Sequence, residues 1–183
     1  MSDEKRARDI LNDAKDSLTN AVNTVDYAHH EIHGGSHFTI SDYETLGDGA
    51  TADFVIVTPD TTKQAHLLIE AGGSGLVKID EYEGVTEDGD GTTITPKNNN
   101  RNSSNTSTIV VRKGATVTGL GTRLGGAQAG AGGNVNQQRP GSGGRESEFV
   151  LKQNTKYLFR ITSGAASNNI SYSLDWYEHT NPE

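Results

Sequence analysis

Four of the chain's six histidines fall in Tyr27-Ala28-His29-His30-Glu31-Ile32-His33-Gly34-Gly35-Ser36-His37-Phe38, together with one glutamate. His29 and His33 are four residues apart, so on a helix they share a face and could offer two imidazoles to one cation. Glu31 is two residues from each and falls on another side of such a helix, and the pattern is not His-Glu-x-x-His. A third ligand would have to come from elsewhere in the fold, or from copies of the chain meeting on a symmetry axis. The other reading is electrostatic. The last turn of a helix exposes carbonyl oxygens and a partial negative charge, both of which favour histidine, and a glycine pair follows at once. The histidines are therefore expected to serve the helix end, with no metal ligand and no cofactor. His37, beyond the turn, and His66, in the middle of a strand-like run, read as satisfied structural histidines.

Other candidate chemistry is incomplete. Thr86-Glu87-Asp88-Gly89-Asp90-Gly91-Thr92 opens like a calcium loop but lacks the third oxygen ligand at the right spacing and the distal bidentate glutamate, so it reads as an acidic hairpin turn. Gly119-Leu120-Gly121-Thr122-Arg123-Leu124-Gly125 has its glycines one residue too far apart for a dinucleotide loop and no βαβ pattern around it. Neither a Gly-x-Ser-x-Gly elbow nor a Walker loop occurs, and Asp80, Glu81 and Glu83 have the look of a solvated strand edge. No catalytic set is visible, and a non-enzymatic protein is expected.

Two kinds of element must position these residues. From Ser2 to Ile32 the chain is free of Gly and Pro, and Ala7, Leu11, Ala14, Leu18, Ala21, Val25, Ala28 and Ile32 recur at alternating spacings of four and three. That is a heptad seam on a helix, and a helix of this kind needs a partner surface in water. Leu11, Leu18, Val25 and Ile32 are its large members and the expected oligomer or partner contact, the other reading being that the helix folds back on its own β domain. Gly34 and Gly35 should end the helix. Residues 1–35 are thus expected to be a helix with a glycine hinge for attachment, and residues 36–183 a β domain.

From His37 the period changes to two. Strands are expected at 38–43, 53–58, 64–71, 76–82, 92–95, 106–112, 115–119, 148–153, 156–162 and 169–177, separated by Gly, Asp, Asn and Pro turns. Short strands at near-regular spacing with no intervening helix predict a β-sandwich or jelly roll. Residues 97–105 read as a polar loop, mobile or available to a partner, and residues 119–144 as a glycine-rich exposed excursion outside the core. Lys156–Thr162 and Ile170–Glu178 read as a long antiparallel pair. Tyr157, Phe159 and Ile161 share one face of the first, and Ile170, Tyr172, Leu174 and Trp176 one face of the second.

Composition narrows the partners. The chain has 183 residues, 22 of them glycine, no cysteine and a formal charge of −8. Disulfides, thiolate metal sites and cysteine nucleophiles are thereby excluded. The acidic balance, without a basic run, opposes direct nucleic-acid binding. No apolar run approaches signal-peptide or membrane-spanning length, so cytoplasmic synthesis and no membrane contact are expected.

The passage Glu31-Ile32-His33-Gly34-Gly35-Ser36-His37-Phe38, and the ending from Lys156-Tyr157-Leu158-Phe159-Arg160-Ile161-Thr162 to Leu174-Asp175-Trp176-Tyr177-Glu178-His179, resemble capsid decoration (cement) proteins of tailed bacteriophages. That resemblance implies a β-rich body, a homo-oligomer, commonly a trimer, and a place on the outside of the phage head. There it would bind the major capsid protein and reinforce the joints between capsomers. A tail-associated receptor-binding, fibre or adaptor module that recognises a host surface is the alternative such a chain would also suit.

Overall fold

The computed structural model describes residues 27–130 and 148–180. A short helix, α1 (Tyr27–Gly34), leads into thirteen strands: β1 (His37–Leu46), β2 (Thr51–Val57), β3 (Gln64–Gly73), β4 (Val77–Glu83), β5 (Thr86–Glu87), β6 (Thr92–Ile94), β7 (Lys97–Asn98), β8 (Val110–Lys113), β9 (Val117–Gly119), β10 (Thr122–Ala129), β11 (Phe149–Leu151), β12 (Lys156–Ser163) and β13 (Asn168–His179). They form a five-stranded sheet ordered β11-β3-β13-β1-β7, a six-stranded sheet ordered β10-β4-β12-β2-β8-β6, and the small ribbon β5-β9. Every pairing is antiparallel. Successive strands β1, β2, β3 and β4 alternate between the two main sheets, and β12 and β13 return to lie between them, in β4-β12-β2 and β3-β13-β1. This interleaving is a jelly-roll-like sandwich, as the alternating pattern predicts.

Alternation builds the core. On β3, Ala65, Leu67, Ile69 and Ala71 are buried while the residues between them are half-exposed. On the opposite sheet, Phe54 and Ile56 of β2 and Tyr157, Phe159 and Ile161 of β12 are buried to 1% exposure or less. They meet Ile170, Tyr172, Leu174 and Trp176 of β13 in one apolar cluster, in which the Phe54 and Tyr172 rings lie 4.7 Å apart. A smaller cluster of Val55, Leu158, Val85 and Ala115 lies on the reverse of the six-stranded sheet. Beside it the Arg160 guanidinium forks onto Asp53 at 2.8 and 2.7 Å, a paired bond that fixes the register of β12 on β2.

The two C-terminal strands do not pair with each other, contrary to the sequence expectation. The link at residues 164–167, with Ser167 at a φ of 53°, carries the chain from one sheet to the other. The two apolar faces assigned from alternation are right, but they meet across the core instead of lying side by side. A two-period pattern reports which face is buried and is silent on the neighbouring strand.

The described part of the glycine-rich stretch is largely exposed, as expected, but part of it is a strand, while residues 131–144 lie outside the described residues. Residues 122–129 form an edge strand on β4, with a register shift between Arg123 and Gly125. A Cβ on Gly126 would lie 2.6 Å from the Ile79 carbonyl oxygen, and one on Gly125 would lie 3.1 Å from a carboxylate oxygen of Glu81. The glycines therefore permit close passage along β4, which composition alone does not distinguish from a linker. Glu81 itself is fully buried, and is not the solvated edge residue its sequence neighbours suggested.

Candidate functional site

The helix joins the sandwich through a complete C-terminal cap. The amide of Ser36 donates to the Glu31 carbonyl at 3.0 Å and that of Gly35 to Ile32 at 3.1 Å, with Gly35 at a φ of 72°. This is the Schellman pair of bonds that glycine makes possible, in accord with the sequence reading of the helix end. The Ser36 hydroxyl bonds to the Glu31 carboxylate, which is buried at 6% exposure.

Residues 97–105 clasp the same turn. Asn98 and Asn105 each donate a side-chain N–H to the Gly35 carbonyl, at 2.8 and 3.1 Å, and Asn100 donates to the His33 carbonyl at 3.0 Å. Lys97 and Asn98 add a short strand to β1. The expectation of a mobile loop free for a partner is thus corrected: its amides serve the orphan carbonyls of a helix end within the same chain. The loop's far end is fastened by Glu178, buried at 3% exposure. Its carboxylate accepts from the Thr108 amide, the Ser107 and Thr108 hydroxyls and the Trp176 indole.

Beside this junction, on the outer face of the five-stranded sheet, lies a strip of polar and ring side chains. Register places His37, Tyr177 and His66 in one row across β1, β13 and β3, with His179 next along β13. His37 approaches Asp175 at 3.1 Å through Nε2 and Asn99 at 2.7 Å through Nδ1. The His66 and Tyr177 rings stack at 4.6 Å, 12° from parallel. Glu148, just before β11, accepts from His66 Nδ1 at 2.8 Å and from the Tyr177 hydroxyl at 2.9 Å. The Nε2 atoms of His66 and His179 are 2.8 Å apart.

Sequence reasoning treated His66 as structural and gave His179 and Glu148 no role. The signal that could have found them is phase: His66, Tyr177 and His179 all fall in the outward phase of their strands, where a ring is not needed for the core.

The N-terminal imidazoles are placed as the spacing implies, with His29 and His33 exposed and their Nε2 atoms 3.1 Å apart. Among the described residues, no group of three or more His, Asp or Glu is arranged to hold a metal ion. Of the expected contact residues, Ile32 is half-buried on α1, while Leu11, Leu18 and Val25 lie outside the described residues.

The acidic turn directs its oxygens at the protein. Asp90 accepts from the Thr116 amide and hydroxyl at 2.6 and 2.7 Å. Glu87, whose side chain is 1% exposed, bonds Lys156 at 2.6 Å, Arg112 at 3.2 Å and the Gly89 amide at 2.6 Å. Lys156 first, with Gly89 and Arg112, holds its carboxyl below the usual range despite burial. Nearby, burial pushes the Tyr157 hydroxyl up to about 12, where it remains a donor to Glu83.

Further along the five-stranded sheet the outer face becomes shallow. Ser41, Ser171, Ser173, Glu70 and Gly72 line a trough of about 560 Å³. Tyr43, paired with Ser171, stands beside it at 80% exposure. Among the described residues no helix is long and apolar enough to cross a membrane. No protein-family model matches the sequence, and no curated protein matches it significantly.

Proposed function

We propose that this chain is a non-enzymatic structural protein of a tailed-bacteriophage particle, a decoration protein. In this reading it binds the major capsid protein on the outside of the head as a homo-oligomer, a trimer in the simplest case, and reinforces the joints between capsomers. The observation that carries the proposal is the junction. A seam-bearing N-terminal segment leads into α1, and α1 is clasped to a rigid sandwich by a full cap and three asparagine side chains. An attachment segment whose exit direction is fixed by its body can transmit load between contacts, as a reinforcing protein must. The fold supports the reading at the level of analogy, since jelly rolls serve in viral capsids, though they also serve in lectins. Modest contacts suffice where many copies bind one lattice.

The test is substitution of the seam. Leu18→Asp with Val25→Asp should abolish oligomerisation or head binding, read by light scattering and by occupancy on purified heads. Unchanged mass together with unchanged occupancy would overturn the proposal.

A second reading is a tail-associated host-recognition module, which Tyr43 favours. An exposed aromatic ring beside a hydroxyl-lined trough suits stacking on a sugar. Glycan binding by the isolated protein that is lost in Tyr43→Ala would support it over decoration.

A further inference from the structure

We infer that His66 and His179 form a binding site for one divalent transition-metal ion, with Glu148 as the carboxylate that orients the first imidazole. The inference stands apart from the decoration reading. An ionised carboxylate only accepts hydrogen bonds, so the 2.8 Å contact from Glu148 places the His66 proton on Nδ1. His66 Nε2 then presents a lone pair toward His179 Nε2, 2.8 Å away. Between two neutral rings that contact is bridged by one proton, carried on His179 Nε2.

A cation replaces that proton. Two metal–nitrogen bonds of about 2.0–2.1 Å set about 90° apart separate their nitrogens by about 2.9 Å, which matches the spacing present. On binding, the His179 proton moves by exchange with solvent from Nε2 to Nδ1, so the imidazole stays neutral, while the Glu148–His66 bond is retained.

Two features distinguish this pair from the exposed His29–His33 pair on α1. The first is the carboxylate behind the ligand, the usual outer partner of a metal-bound imidazole, which fixes its tautomer and ring orientation. The second is orientation: the His66 ring is held flat against Tyr177, and Tyr177 shares the same Glu148 oxygen. The rings come from adjacent strands whose register is fixed along the whole of β3 and β13, so the separation between them is set by the sheet. The protein supplies two nitrogens and water supplies the remaining positions. The right angle suits Ni²⁺ or Cu²⁺ better than tetrahedral Zn²⁺, whose two nitrogens would have to spread to about 3.3 Å.

The test is calorimetric titration of Ni²⁺ into the full chain carrying His29→Gln and His33→Gln, which removes the helix pair while leaving the strand pair intact. One ion per chain is expected. His179→Gln in that background should weaken binding at least tenfold, as should His66→Gln. Glu148→Gln should weaken it about 10- to 100-fold without abolishing it, an effect expected of an orienting carboxylate. Circular dichroism establishes that each variant is folded, and His179→Gln, at the last residue of β13, is the variant least able to disturb the core. Absence of Ni²⁺ binding in the folded double variant would overturn the inference, and so would binding that survives both His66→Gln and His179→Gln.

Discussion

At the scale of single residues, the junction turns on Gly35. Its φ of 72° disfavours any L side chain, and a Cβ there would lie 2.8 Å from Ser103 Cβ. The left-handed backbone alone costs about 1–2 kcal/mol, so Gly35→Ala should destabilise the fold by at least that amount in denaturant unfolding. Gly34→Ala should cost less than Gly35→Ala, because a Cβ there meets only Ser36 Oγ at 3.8 Å.

Glu87 gives a second residue-scale test, in pH. Its carboxyl is held below its ordinary value in the folded chain. Its stabilisation is therefore complete above the unfolded value of about 4.3, and is lost as pH falls through the folded value. The stability gap between wild type and Glu87→Gln should hold steady above about pH 4.3 and narrow as the pH falls below that value, read from denaturation midpoints. A gap that widens on acidification would assign the stabilisation elsewhere.

The glycine cap was legible in the sequence because it is a local rule. The Glu87 ion pairs and the His66–Glu148–His179 cluster were not, because their side chains come from positions 25 to 113 apart and only strand register brings them together.

Among the elements, β10 carries the sharpest expectation. Gly126→Ala places a Cβ within 2.6 Å of a β4 carbonyl oxygen, so the strand must shift or detach. Amide exchange should speed up in the outer pairing of β4, from Val77 to Glu83, while the β12 amides bonded to β2 keep their protection. Uniform acceleration across both sheets would instead indicate that β10 is integral to the core.

Alternation identified most of the longer strands and their buried faces, since Leu67, Ile69, Phe159 and Leu174 announce themselves by period. It gave neither neighbours nor crossings. Whether β12 lies beside β13 or opposite it depends on a four-residue link whose composition suits both. The two-residue strands β5 and β7 are too short to show a period at all.

For the whole molecule, the proposed role needs the sandwich and the short helix α1 clasped to it to act as one body. The seam prediction belongs at this scale. Leu18→Asp with Val25→Asp should remove assembly, and circular dichroism should show the β domain still folded.

The measurement that bears most directly on the proposed role is electron cryomicroscopy of phage particles made with and without this chain. Added density should repeat over the whole head lattice at the joints between capsomers, present only in particles that contain the protein. Density confined to the tail, or heads that are identical in the two preparations, would contradict it.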